Sequence, residues 1–173
     1  VILTSEPVTG EQTLDRMSRR VRDALANRAF SLYYQPIMRL ADQRVAYYES
    51  LVRMAENDEI LLPGEFLPTI ERLSLMPRLT RLVVGMVLRA LAENPSAQIS
   101  INLSRGDLGD DSLPRFVEEE LKRLGVDASR LVFEMSEGAV VGNLASARNW
   151  IDRLGRSGCR FVLVDGEKKV AVT

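Results

Sequence analysis

Short apolar runs rich in β-branched and aromatic residues alternate along the chain with longer stretches in which apolar residues recur every three or four positions. The runs FSLYYQPI (30–37), VAYYESLVR (45–53), ISINLS (99–104), LVFEMSE (131–137) and FVLVD (161–165) have the composition and length of strands. The first two are joined by LADQR (40–44), which predicts a hairpin. Helical spacing groups Leu14, Met17, Val21 and Leu25 on one face, with Asp15, Arg16, Arg19, Arg20, Arg22 and Asp23 around the rest. That pattern predicts an amphipathic helix, opened by Thr9 and Gln12 as a capping box, with a solvated charged face or a connection to an upstream domain. Pro63, Gly64 and Pro68 punctuate a second helix carrying Phe66, Leu67, Ile70 and Leu73, after the polar loop 56–59. Pro77 breaks or restarts it, and Leu79, Leu82, Val83, Met86, Val87, Ala90 and Leu91 form a stripe broad enough to lie against a sheet. After the turn-rich 105–111, Leu113, Phe116, Val117, Leu121 and Leu124 predict a helix closed by Gly125. Leu144, Ala147, Ile151 and Leu154 predict another, opened by Asn143, with Trp150 as a packing residue.

Strands that alternate with helices at intervals of roughly thirty residues predict a parallel α/β sheet, either open or as part of a barrel, with the strand carboxyl ends on one rim. Four of the apolar runs stop on an oxygen-bearing side chain: Glu49, Asn102, Glu134 and Asp165. Brought to one rim, they form a donor set for a hard cation such as Mg²⁺, Mn²⁺ or Ca²⁺, with no thiol or imidazole to suit a softer metal.

Composition narrows the chemistry. The 173 residues are 46% hydrophobic, enough for one domain or most of one. With 23 basic against 24 acidic residues there is no global field for duplex nucleic acid or an anionic membrane, so an anionic ligand must be held locally. The absence of His excludes Ser/His/Asp and Cys/His triads and leaves carboxylates, Lys, Arg or metal-bound water. The lone Cys159 reads as a small buried residue. No apolar run is long enough to span a membrane and no secretory signal opens the chain, which predicts a cytoplasmic location. The first residue is Val rather than Met, as expected of a piece of a longer protein.

Five segments in order resemble the EAL domain of bacterial cyclic-di-GMP phosphodiesterases, a modified TIM barrel. YYQPI (33–37) resembles the family's opening strand, and YESLVR (48–53) its E-x-L-x-R signature, with Ser50 where Ala gives the family its name. LLPGEFLPTIERLSLMPRL resembles P-x-x-F-I-P-x-A-E, SINLS resembles V-N-L-S, and FEMSE resembles E-I-T-E. The resemblance implies an α/β fold of the EAL type, first half only: parallel βα units after an N-terminal amphipathic helix and hairpin. It divides the chain into a linker and connecting helix (1–29), a partial EAL-like domain (30–165) and an atypical tail (166–173). It implies Glu49, Asn102 and Glu134 as metal ligands, Gln35, Leu51 and Arg53 as contacts to the dinucleotide, and Glu137 as a catalytic-site residue that positions a loop near the metals. Mg²⁺ or Mn²⁺ would be the cofactor, and an upstream sensor or GGDEF-type domain the neighbour in the parent protein.

The chain departs from the family where D-D-F-G-T-G is expected: the first Asp falls on Val164, and a shift of one residue gives the metal-ligand role to Asp165 instead. The later family motifs have no counterpart, the tail KKVAVT resembles none of them, and Lys169 is not read as a stand-in for the family's downstream Lys. The expected function is therefore an EAL-type signalling domain whose family hydrolyses cyclic-di-GMP to linear pGpG by two-metal chemistry, with this chain inactive alone. The alternative is a degenerate EAL module that binds cyclic-di-GMP or a protein partner without turnover. A partial barrel should also leave the FVLVD strand unpaired on its far side over an apolar concavity, which predicts a homodimer or poorly cooperative unfolding.

Overall fold

The computed structural model describes residues 10–57, 59–166 and 168–172. The predicted capping residue Thr9 and most of the predicted linker lie outside the described residues. Helix α1 (Gly10–Asn27) leads into the hairpin β1 (Phe30–Arg39) and β2 (Arg44–Glu56). There follow β3 (Glu59–Leu61), α2 (Pro63–Arg72), α3 (Met76–Glu93), β4 (Ile99–Leu103), α4 (Arg105–Leu108) and α5 (Ser112–Leu124). The remainder is β5 (Leu131–Ser136), α6 (Glu137–Val141), α7 (Leu144–Arg156), β6 (Arg160–Asp165) and β7 (Lys168–Val172).

The sheet order is β1-β2-β4-β5-β6-β7, with β3 on β2 as a side branch. Strands β2, β4, β5 and β6 are parallel neighbours, so the runs that end near Glu49, Asn102, Glu134 and Asp165 do lie side by side. Strand alternation gives this sheet two faces. Ile99, Ile101 and Leu103 of β4, Leu131, Phe133 and Met135 of β5, and Phe161 of β6 join the helix stripes in one core. Its centre is aromatic: Phe133 meets Trp150 edge-on at 5.5 Å and stacks on Phe161 at 5.6 Å. Burying a ring of this size is worth about 1.5–3 kcal/mol, with the pair geometry adding to it. Trp150 is 1% exposed, the packing role expected of it.

Local chemistry explains the joints. Gly125 ends α5 in the left-handed region, φ 63°, with its N–H donating to the Leu121 and Lys122 carbonyls. The Arg130 guanidinium donates to the Leu91 carbonyl at 2.7 Å and the Ala97 carbonyl at 2.9 Å, satisfying acceptors at and just beyond the end of α3. Helix α1 packs on α2 and β2, tied down by the Arg20–Glu56 ion pair.

Several expectations are corrected. The polar loop 56–59 is shortened to a turn at Asn57, φ 45°, between the paired Glu56 and Glu59, and β3 follows because Leu61 can pair opposite Met54 and bury against the core. The turn-rich 105–111 contains α4, opened by reciprocal bonds between Ser104 and Asp107. Asn143 precedes α7, but its side chain donates back to the Ala139 carbonyl at 3.4 Å instead of capping. The far edge of the FVLVD strand is paired: Gly166, φ 57°, turns the chain and β7 runs antiparallel along β6. The sheet remains open, ending on β1 and β7.

Candidate functional site

The face of the sheet away from the core carries the odd-numbered residues of β2 and the even-numbered residues of β4, β5 and β6. Glu49 stands beside Ser100 in register, and Asn102 beside Glu134. Three of the four predicted rim residues therefore meet. Asn102 Nδ2 donates to Glu49 Oε1 at 2.8 Å, and Ser100 Oγ to Glu134 Oε1 at 2.8 Å. Glu134 is 2% exposed, Glu49 half-buried and Asn102 exposed, so the cluster opens outward from a buried floor.

Asp165 does not join them. It shares parity with Phe161, which faces the core, whereas Val162 and Val164 share the face of Glu134 and Ser136. The one-residue shift that would give Asp165 a ligand role is opposed by strand alternation, which reverses every side chain per step.

A cation does occupy the cluster, and it comes from the tail. Lys169 lies opposite Val164 in the β6–β7 ladder, on the same face, and its Nζ donates to Glu49 Oε2 at 2.6 Å and Glu134 Oε1 at 3.0 Å. The ammonium also lies 5.9 Å from the centre of the Tyr47 ring. Burial by itself would lower the Lys169 pKa; hydrogen bonds and charge from Glu134 and Glu49 outweigh it and hold the group above its ordinary value. Tyr47 Oη is buried without a hydrogen-bond partner among the described residues. Burial first, and then the negative charge of Glu134 and Glu49, push its pKa well up. Tyr47 also lines a cavity of about 860 Å³ with Val132, Cys159, Phe161 and Val162, at the amino-terminal side of the carboxylates. Burial pushes the Cys159 thiol up to about 12, which suits the inert role read from sequence.

The predicted dinucleotide contacts line up along the hairpin. Gln35 pairs with Glu49, and Leu51 with Tyr33, so all four share the uncovered face. Arg53 stacks on Tyr33, its guanidinium carbon 5.0 Å from the ring centre, and Nη1 donates to the Val52 carbonyl at 2.9 Å. Glu137 sits exposed in the first turn of α6, one residue past the end of β5. Ser50, where the resemblance expects Ala, points into the covered side, and its hydroxyl donates to the Ser100 carbonyl at 2.6 Å. The extra oxygen is thus satisfied without disturbing Glu49.

In kind, Glu49, Asn102 and Glu134 are donors for a hard divalent ion. As arranged they do not fit a pair of ions: Lys169 stands between the carboxylates, Asp165 faces the other way, and no group of three or more His, Cys, Asp or Glu capable of holding a metal forms among the described residues.

The EAL domain profile matches residues 18–167. The chain belongs to the EAL domain family. A relative, the cyclic di-GMP phosphodiesterase PdeF of Escherichia coli (strain K12), is 30% identical over 154 residues, covering 86% of this chain and 20% of PdeF. The FimX EAL domain from Pseudomonas aeruginosa bound to c-di-GMP superimposes with a TM-score of 0.79 at 25% identity, over 85% of this chain and 61% of that one. The Vibrio cholerae LapD S helix-GGDEF-EAL protein, bound to c-di-GMP, superimposes at 0.78 with 19% identity, over 95% of this chain and 40% of that one. The chain thus spans about a fifth of PdeF and under two thirds of the FimX EAL domain. Among the described residues, no helix is long and apolar enough to cross a membrane. Sequence reasoning missed Lys169 and Tyr47. The alternation of KKVAVT, read as a strand, was the available signal for the first.

Proposed function

We propose that this chain is the cyclic-di-GMP-recognising part of an EAL signalling protein and that by itself it binds the dinucleotide without hydrolysing it. The observation that carries the reading is the line of Gln35, Leu51 and Arg53 on the same sheet face as Glu49, Asn102 and Glu134. Arg53, over the Tyr33 ring, offers a planar fork to one phosphate, the geometry in which a guanidinium binds oxyanions bidentately. Leu51 gives the guanine rings an apolar contact, and Gln35 gives them an amide. In the whole parent domain Glu49, Asn102 and Glu134 would serve as Mg²⁺ or Mn²⁺ ligands, with Glu137 near them, and paired ions there would supply the activated water for phosphodiester cleavage. A GGDEF-type neighbour and a cytoplasmic location belong to this same reading of the parent, and homodimer formation through the open sheet to that of this chain.

The reading is tested by calorimetric titration of the 173-residue chain with cyclic-di-GMP, alongside chromatography of the incubated nucleotide. The expected result is saturable binding, weakened at least tenfold in Arg53→Ala, with no linear product. Binding unaffected by Arg53→Ala, or linear product formed by the wild-type chain and lost in Glu49→Ala, overturns it.

A further inference from the structure

The Glu49–Glu134 pair is bracketed by an ammonium at hydrogen-bond distance from both carboxylates: 2.6 Å to Glu49 Oε2 and 2.8 Å to Glu134 Oε2, with Glu134 Oε1 at 3.0 Å. A divalent ion bound by the same oxygens would need them at about 2.0–2.6 Å, in the space that Nζ fills. We propose that Lys169 is a built-in cation that takes the place of a divalent ion in this site, so that the chain presents its dinucleotide face without metal. The proposal rests on the cyclic-di-GMP reading only for the ligand of that face; the cation exchange itself stands on the geometry of the cluster.

Three features make the ammonium a resident of the site and not a passing contact. The β6–β7 ladder fixes the register with Val164 opposite Lys169 and Asp165 opposite Lys168, so alternation delivers residue 169 to the carboxylate face. The floor is nearly dry: the Glu134 side chain is 1% exposed, and an unpaired carboxylate there is costly, so the site demands a positive charge at all times. The Tyr47 ring lies beneath the ammonium, a surface that attracts a cation. A divalent ion must displace Lys169 from three carboxylate oxygens and leave a second cation beside itself on a face where Val162 and Val164 offer no counter-charge. Two carboxylates can be neutralised by one divalent ion or half-neutralised by one ammonium, and both together make the site net positive.

The test is a Mn²⁺ titration of the whole chain, followed by the electron paramagnetic resonance signal of free Mn²⁺, for wild type, Lys169→Gln, and the double variant Lys169→Gln with Glu49→Gln. The expected result is at least tenfold tighter binding of one Mn²⁺ by Lys169→Gln than by wild type, abolished in the double variant. Equal binding by wild type and Lys169→Gln, or none by either, overturns the proposal. Should Lys169→Gln fail to fold, acetic anhydride labelling of the wild type read by mass spectrometry decides. Lys169 should react at least tenfold more slowly than the exposed Lys122, and faster once millimolar Mn²⁺ is added. Reaction at the rate of Lys122, or indifferent to Mn²⁺, overturns it. Cyclic-di-GMP titration in EDTA is run separately. Failure there removes the proposed function and leaves the Mn²⁺ result standing, whereas a Mn²⁺ failure with intact nucleotide binding removes only the cation exchange.

Discussion

Phe133 and Glu134 are neighbours in β5, yet they belong to two different media. Phe133 points into a core closed by α3, α5 and α7 and touches Trp150 and Phe161. Glu134 points the other way, onto a face that no helix among the described residues covers, and is nearly as inaccessible at 2% exposed. One side is stabilised chiefly by apolar area, a driving force that is non-directional and scales with the surface removed from water. The other is stabilised by the match between Glu134 and the specific atoms around it: Ser100 Oγ and Lys169 Nζ. Burial alone therefore says little about what holds a residue. The covered face makes the fold, whereas the uncovered face, where each charge depends on a named partner, makes the site.

This comparison can be broken by experiment. The largest effect is expected on the covered face: Phe133→Ala removes a ring with two aromatic contacts and should destabilise the chain by about 3–5 kcal/mol in urea unfolding. A loss under about 1 kcal/mol would mean that the aromatic cluster is not the centre of the core. On the uncovered face Glu134→Gln keeps the volume but removes the charge facing Lys169. Because the Lys169 side chain is 22% exposed and can rehydrate, the expected loss is smaller, about 1–2 kcal/mol at neutral pH. A loss as large as that of Phe133→Ala would erase the distinction between the faces.

The smallest effect belongs to a polar contact outside both faces, the Arg81–Asp110 pair, 2.8 Å apart between α3 and the start of α5. Burial raises the Asp110 pKa, but bonds from Arg81 and Ser112 outweigh it and hold the carboxyl below its usual range. Its contribution is therefore present above the unfolded value of 3.8 and lost as pH falls through the lower folded value. Asp110→Asn should cost about 0.5–1 kcal/mol at pH 7 and nothing measurable near pH 2, read as a flatter fall of Tm below pH 4. An unchanged acid limb would show that the pair is solvated in solution.

Much of the covered face was legible beforehand. Leu79, Val83, Val87 and Leu91 announce a helix by period alone, and Ile99, Ile101 and Leu103 a strand, because burial imposes these spacings locally. The joints were less legible. Whether 56–59 is a loop or leads into a strand depends on whether Leu61 finds Met54 across the ladder, which no local pattern encodes. In the site, Glu49, Asn102 and Glu134 could be named because each ends an apolar run on a parallel strand. Asp165 ends one too and was misplaced, since a single step of register separates the two faces and the sequence admitted both alignments.

The sequence by itself determined the family, the order of the strands and helices other than β3, α4, α6 and β7, and the three rim residues, all of which follow from periodicity and from segments that each carry their own signal. Only the tertiary structure decided what stands among those residues. Lys169 is 120 positions from Glu49, in a segment that resembles nothing in the family, and it reaches the carboxylates because Gly166 reverses the chain and the β6–β7 ladder sets the register. Local sequence encodes periodicity because burial acts on neighbouring turns and pleats. The meeting of an ammonium with two carboxylates from distant strands depends on how the sheet is assembled, and a shift of one residue in its last strand would put Lys168 or Val170 on that face in place of Lys169.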